Sequence, residues 1–235
     1  MNVLVLLSLF VLPGDVRIAT LDGRTLSGEL NSITADLVTF TESGMEKSVP
    51  VADVMNVEFS SAKPAVSAEL QAVTLADGSQ LFGTGIARTA KNLTIANAAL
   101  GNLEFDNAVI RTIRLQPDNP AFRTQWTTFQ QRASDKDLLI VAKRDGTGLD
   151  FLAGVVSAIS SEKIDFLLDG DTVPVPAARV YGVVFAKPSD DHRSAATASV
   201  RLTTLQGDIV GAKSIRFDGS VLSVEATWGQ TISAG

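Results

Sequence analysis

Apolar and polar residues alternate with a period of two along most of the chain, interrupted at short intervals by glycine. Residues 15–30 show the pattern. Val16, Ile18 and Thr20 alternate with Arg17 and Ala19, Asp22-Gly23 intervenes, and Leu26, Gly28 and Leu30 resume the alternation. Period two is the signature of a half-buried strand, and Asp-Gly between two such runs marks a hairpin. A two-residue primed turn is expected there, because Asp tolerates positive φ and Gly adopts it freely. A third run, Leu37–Phe40, ends at a turn around Ser43-Gly44, and Val49-Pro50-Val51 reads as a short strand with Pro50 at an edge or an end. Val54, Val57 and Phe59 close the stretch, and their three-then-two spacing predicts a single helical turn running into a last strand.

The same grammar returns three times. A second copy has Asp77-Gly78, Gly83, Gly101 and the closing set Ile110, Ile113 and Leu115. The third has Asp145-Gly146, Gly154, Gly170 and Val180, Val183 and Phe185, and the fourth has Gln206-Gly207, Gly211 and Gly229. From the second glycine to the third the interval is 16, 18, 16 and 18 residues. Repetition at such regular intervals decides the fold reading before any single residue does. The turn residues Asp22, Gly23, Asp77, Gly78, Asp145, Gly146 and Gly207 are accordingly read as structural.

These intervals divide the chain into an apolar segment at 1–14, repeats at 15–60, 68–116 and 137–187, and a fourth, incomplete repeat at 198–235. No closing triplet falls within that last repeat, so either the chain is a fragment of something longer or the final unit lacks its last strand. Each repeat, at about 45 residues, buries too little apolar surface to stand comfortably alone and is expected to pack against a neighbour. Residues 60–65 and 187–194 read as linkers.

One helix is expected, at 118–134. Asp118 or Asn119 can cap it, Pro120 suits its first position, and Phe122, Trp126 and Phe129 fall at i, i+4 and i+7. That aromatic stripe is read as helix core wedged between the second and third repeats. Residues 1–14 form an apolar run too short for a bilayer, which needs about 20 residues. Their length fits the core of a secretory signal, although no Lys or Arg precedes them; a buried strand completing a barrel is the other reading.

Composition narrows the chemistry. At 45% hydrophobic and 20% charged the chain is globular, and a net charge of −6 argues against nucleic acid as a partner. With no cysteine, disulfides, thiol catalysis and cysteine zinc sites are excluded. The single histidine, His192, stands beside Asp190 and Asp191 in a linker, where adjacent residues rarely fix a metal geometry. No phosphate loop or dinucleotide fingerprint occurs. No metal, cofactor, catalytic residue or enzymatic activity is expected. Trp228, beside the turn at Gly229, is the one candidate for stacking on a sugar.

Val16, Ile18, Leu21-Asp22-Gly23-Arg24, Leu26, Gly28, Leu30, Ile33 and Leu37 resemble the first half of the Sm-like motif, a strongly bent five-stranded barrel. Sm-like proteins bind RNA through an Asp after the second strand and an Asn in the third. Thr34 and Val38 stand at the matching positions, and Val57-Glu58-Phe59 replaces the closing Arg-Gly pair. The resemblance thus implies the barrel without its usual ligand. Trp126 with residues 137–141, 149–156 and 180–185 also resembles the N-terminal region of planctomycete-type secreted proteins that carry a carbohydrate-binding module of the NPCBM type. The expected architecture is all-β: tandem small Sm-like or SH3-like barrels with one inserted α-helix. The expected role is a non-catalytic, secreted or periplasmic scaffold or interaction module with protein or cell-surface glycan as partner, no transmembrane span and an open oligomeric state. A carbohydrate-binding region in its own right is the alternative, and a hydrolase stands behind both.

Overall fold

The computed structural model describes residues 3–7, 15–59, 69–186 and 200–234. The linkers at 60–65 and 187–194, with His192, lie outside the described residues, as do residues 1, 2 and 8–14 of the apolar start. Among the described residues the structure is all-β apart from one α-helix and several single 3-10 turns. It divides into two compact units, one formed by residues Met1–Val66 with Ala196–Gly235, the other by Ser67–Ala195.

The first unit contains β1 (Val3–Leu7), β2 (Asp15–Thr20), β3 (Thr25–Ile33), β4 (Leu37–Glu42), β5 (Met45–Pro50) and β6 (Val54–Phe59). The second contains β7 (Gln71–Leu75), β8 (Gln80–Arg88), β9 (Asn92–Asn97), β10 (Gly101–Asp106) and β11 (Ile110–Arg114). It continues with α1 (Arg123–Gln131), β12 (Asp137–Ala142), β13 (Leu149–Ile159), β14 (Lys163–Leu168), β15 (Asp171–Pro176) and β16 (Val180–Val184). The chain then returns to the first unit with β17 (Val200–Thr204), β18 (Ile209–Phe217), β19 (Leu222–Ala226) and β20 (Thr231–Ala234).

Three segments share one strand order. In the first, β2 to β5 pair consecutively as an antiparallel meander, a 3-10 turn at Val51–Asp53 follows, and β6 returns to pair antiparallel with β2. The orders β10-β9-β8-β7-β11 and β15-β14-β13-β12-β16 repeat it, each with a 3-10 turn before its last strand. Strands β17 to β20 form the meander alone.

The glycines have distinct physical reasons. At the first turn of each segment only the glycine has positive φ, from +69° to +91°. Gly23 N–H donates to Thr20 O at 3.0 Å and Thr20 N–H to Arg24 O at 3.0 Å, a type I turn closed by a left-handed glycine. The expected primed turn with positive φ at Asp22 is therefore corrected; Asp22 instead accepts from the Thr20 hydroxyl at 2.5 Å and from Arg24 Nε at 2.7 Å. Primed geometry occurs at the next turn, where Ser43 and Gly44 have φ of 52° and 77°. Gly28, Gly83 and Gly154 are needed for space. A Cβ on any of them would come well within 3.0 Å of a carbonyl oxygen on the next strand, that of Thr41, Ala96 or Leu167.

The first two residues of each closing triplet are buried, with Val54 and Val57, Ile110 and Ile113, and Val180 and Val183 all at 2% exposure or less. Their three-residue step is a β-bulge and not the expected helical turn, which lies just before it. Opposite consecutive residues Ala19-Thr20, Leu75-Thr74 and Val141-Ile140, each closing strand skips one residue: Met55, Arg111 and Tyr181 respectively. One extra residue in a period-two strand puts i and i+3 on one face.

Candidate functional site

The bulge in β16 places Tyr181 at the edge of a concavity in the second unit. Where the first segment places Met55, 50% exposed, the third places Tyr181, the chain's only tyrosine, 3% exposed. Its ring lies 5.6 Å edge-on from both Phe122 and Trp126. The helical segment that supplies those rings begins with a 3-10 turn, Pro120–Phe122, in which Pro120 takes the first position and Asn119 Oδ1 accepts from Ala121 N–H at 3.0 Å. It is shorter than expected, since the regular α-helix covers Arg123–Gln131 only. Phe122, Trp126 and Phe129 are half-buried and pack against Leu138, Ile140, Leu149, Tyr181 and Val184, all from the third segment. Gln130 reaches the second segment, donating to Thr112 Oγ1 at 3.3 Å. Gly182 keeps this arrangement possible, because a Cβ there would lie 2.7 Å from the Trp126 ring.

A cleft of about 440 Å³ opens beside Tyr181, lined by Gln116, Asp118, Asn119, Phe122 and Arg179 among others. It adjoins a second cleft of about 590 Å³, lined by Gln71, Gly85, Ser160 and Ser161, with Gln116 and Ala178 common to both. Gln116 is fixed by donating its amide to the carbonyls of Ala177 and Val180 at 3.2 Å each. The Tyr181 hydroxyl is buried near the Asn119 backbone and makes no hydrogen bond of full geometry. Burial is the main cause that raises its pKa above the usual phenol value. Asp118 is held below the usual carboxylate range by Arg123, whose guanidinium hydrogen-bonds it and is itself raised. Arg114, 6% exposed, is lowered by burial and is bonded to the carbonyls of Gln116 and Leu70. The lining of the cleft thus carries one cation, Arg179, one carboxylate, Asp118, and the amide side chains of Gln116 and Asn119 beside the Phe122 and Tyr181 rings.

Trp228 lies elsewhere, in the turn between β19 and β20 of the first unit, half-buried, its indole N–H 3.4 Å from Gln230 Oε1. The turn residues around Asp77 and Asp145 do structural work in the second unit: Asp77 accepts from Ser79 N–H at 2.9 Å and Asp145 from Thr147 N–H at 3.0 Å. Sequence reasoning missed Tyr181 and Gln116 as lining residues. The signal for Tyr181 was its position one residue past the start of a closing triplet.

Among the described residues no three His, Cys, Asp or Glu side chains are grouped as metal ligands, and no helix is long and apolar enough to cross a membrane. No protein-family model matches the chain, and no curated protein matches it.

Proposed function

We propose that this chain is a non-catalytic, extracytoplasmic scaffold or interaction module built of small Sm-like or SH3-like barrels, belonging to a larger carbohydrate-associated surface protein. The observation that carries the reading is the strand order shared by three segments, each a four-stranded meander whose fifth strand returns through a 3-10 turn to the first. Steric demand for glycine at Gly28, Gly83 and Gly154 supports it, since glycine inside a strand marks a close backbone approach of the kind found at a barrel corner. The non-catalytic part draws on how the carboxylates are used: Asp22, Asp77, Asp145 and Asp218 accept hydrogen bonds within their own turns.

The second reading, a carbohydrate-binding region in its own right, is favoured by the Tyr181 cleft, whose lining brings together aromatic rings, the amides of Gln116 and Asn119 and the Arg179 guanidinium. A glycan array probed with the full chain separates the two. The scaffold reading expects no retained glycan. Retention abolished by Tyr181→Phe or by Trp228→Ala would replace it with the second. A reporter active only outside the cytoplasm, fused behind the full chain, is expected to be active; an inactive reporter refutes the localisation.

A further inference from the structure

The two units differ at one place in their strand order, and the difference defines a slot. In the second unit, β16 lies between β11 and β12 and runs antiparallel to both. Strands β11 and β12 are therefore parallel to each other, with the closing strand of one segment between them. In the first unit, β6 takes the place of β11 and β17 that of β12. The strand between them is β1, which pairs parallel with β6 over Leu4–Leu6 and parallel with β17 over Val3–Leu7. So β6 and β17 are again mutually parallel, and β1 occupies the position of a closing strand while running in the opposite direction.

We propose that the slot between β6 and β17 is a strand-acceptor site for an antiparallel polypeptide strand of the closing kind, an apolar segment with three-then-two spacing like that of β16, and that Val3–Leu7 fills it as an exchangeable surrogate. The proposal rests on reading the segments as one kind of unit. An antiparallel strand would pair with both edges as β16 does, and parallel pairing is slightly weaker per residue. The pairing of β1 with β6 is also short, three residues against five with β17. Backbone pairing supplies affinity in such strand addition and the buried positions supply selectivity.

The test uses the full chain carrying Val5→Pro, which removes a ladder amide from β1. A labelled peptide of residues 177–187, which includes β16, is titrated into this variant and into the unaltered chain. The expected result is binding to both, about tenfold or more tighter to the variant because its slot is open more of the time. Amide exchange should slow at Asn56–Glu58 and Val200–Thr204 on peptide addition, and the same peptide with Val183→Pro should not bind. Should Val5→Pro fail to fold, amide exchange on the unaltered chain at high peptide concentration gives the same readout. Absence of binding, or protection appearing in the second unit only, overturns the proposal. A concentration-dependent dimer in place of peptide binding would assign the slot to a second copy and also overturns it. Failure of the barrel reading would be separate, appearing as unprotected β2 and β6 before any peptide is added.

Discussion

Gly154→Ala tests the reason for the regularly spaced glycines. A Cβ at this position would meet the carbonyl of Leu167 well within contact distance and would stand 2.6 Å from Phe166 Cζ. The ring is buried at 1% exposure, and the carbonyl belongs to the strand paired with β13 at Val155↔Leu167, so neither can yield without disturbing core or ladder. Overpacking of this kind costs about 3 kcal/mol at its upper range, offset by about 0.5–1 kcal/mol from the reduced freedom of the unfolded chain. The net loss of roughly 2 kcal/mol corresponds to a fall in Tm of about 6–9 °C for a domain of this size. Thermal and urea melts of the full chain read it, with an unchanged denaturant slope showing that the unfolded state is not the cause. Gly83→Ala and Gly28→Ala should also destabilise, but less, since the added Cβ would stand 2.9 Å from Ile95 Cγ1 and 3.0 Å from Phe40 Cδ2. A Gly154→Ala melt within 1 °C of the parent, or a reversed order among the three, would refute the steric reasoning.

Other substitutions and conditions have distinct expected outcomes. Trp126→Ala should cost about 2–3 kcal/mol, below the usual range for a fully buried Trp, because the ring is half-buried; no shift in Tm would place it free in solvent. Tyr181→Phe should leave thermal stability unchanged or slightly raised, since it deletes a buried hydroxyl that makes no well-formed hydrogen bond; a loss above about 1 kcal/mol would show that its approach to the Asn119 backbone is a bond. Asp22, Asp145 and Asp218 are each held below the ordinary carboxylate value, chiefly by the Thr20 side chain, the Thr147 backbone and the Val221 backbone respectively. Their stabilisation is present above the unfolded-state pKa of about 3.9 and is lost as pH falls through their lower folded values. Carboxyl titration by NMR should show all three ionising below that value, and stability that rises on acidification below it would contradict the sign.

Much of the strand pattern was legible because period-two alternation and glycine spacing respond to local constraints. Positive φ at Gly23 and Gly44 and the absence of room at Gly28 leave marks that composition alone would not. The closing triplets were visible as well, but their cause was not. A spacing of three fits one helical turn and one bulge equally, and only the partner strand, with Thr20 facing Val54 and Ala19 facing Asn56, distinguishes them. The Tyr181 cleft was hidden for the same reason. Its lining comes from residues 116–120, 122, 142, 178, 179 and 181, which only β-strand pairing brings together. Trp228 attracted notice by residue type, whereas its indole is half-buried in a turn.

Interstrand NOEs between backbone protons test the shared strand order most directly. The three equivalent pairs are Ile18 with Val57, Val73 with Ile113, and Leu139 with Val183. Close cross-strand contacts at all three pairs are expected. Contacts at one pair and not at the others, or strands paired instead in simple sequence order, would contradict it.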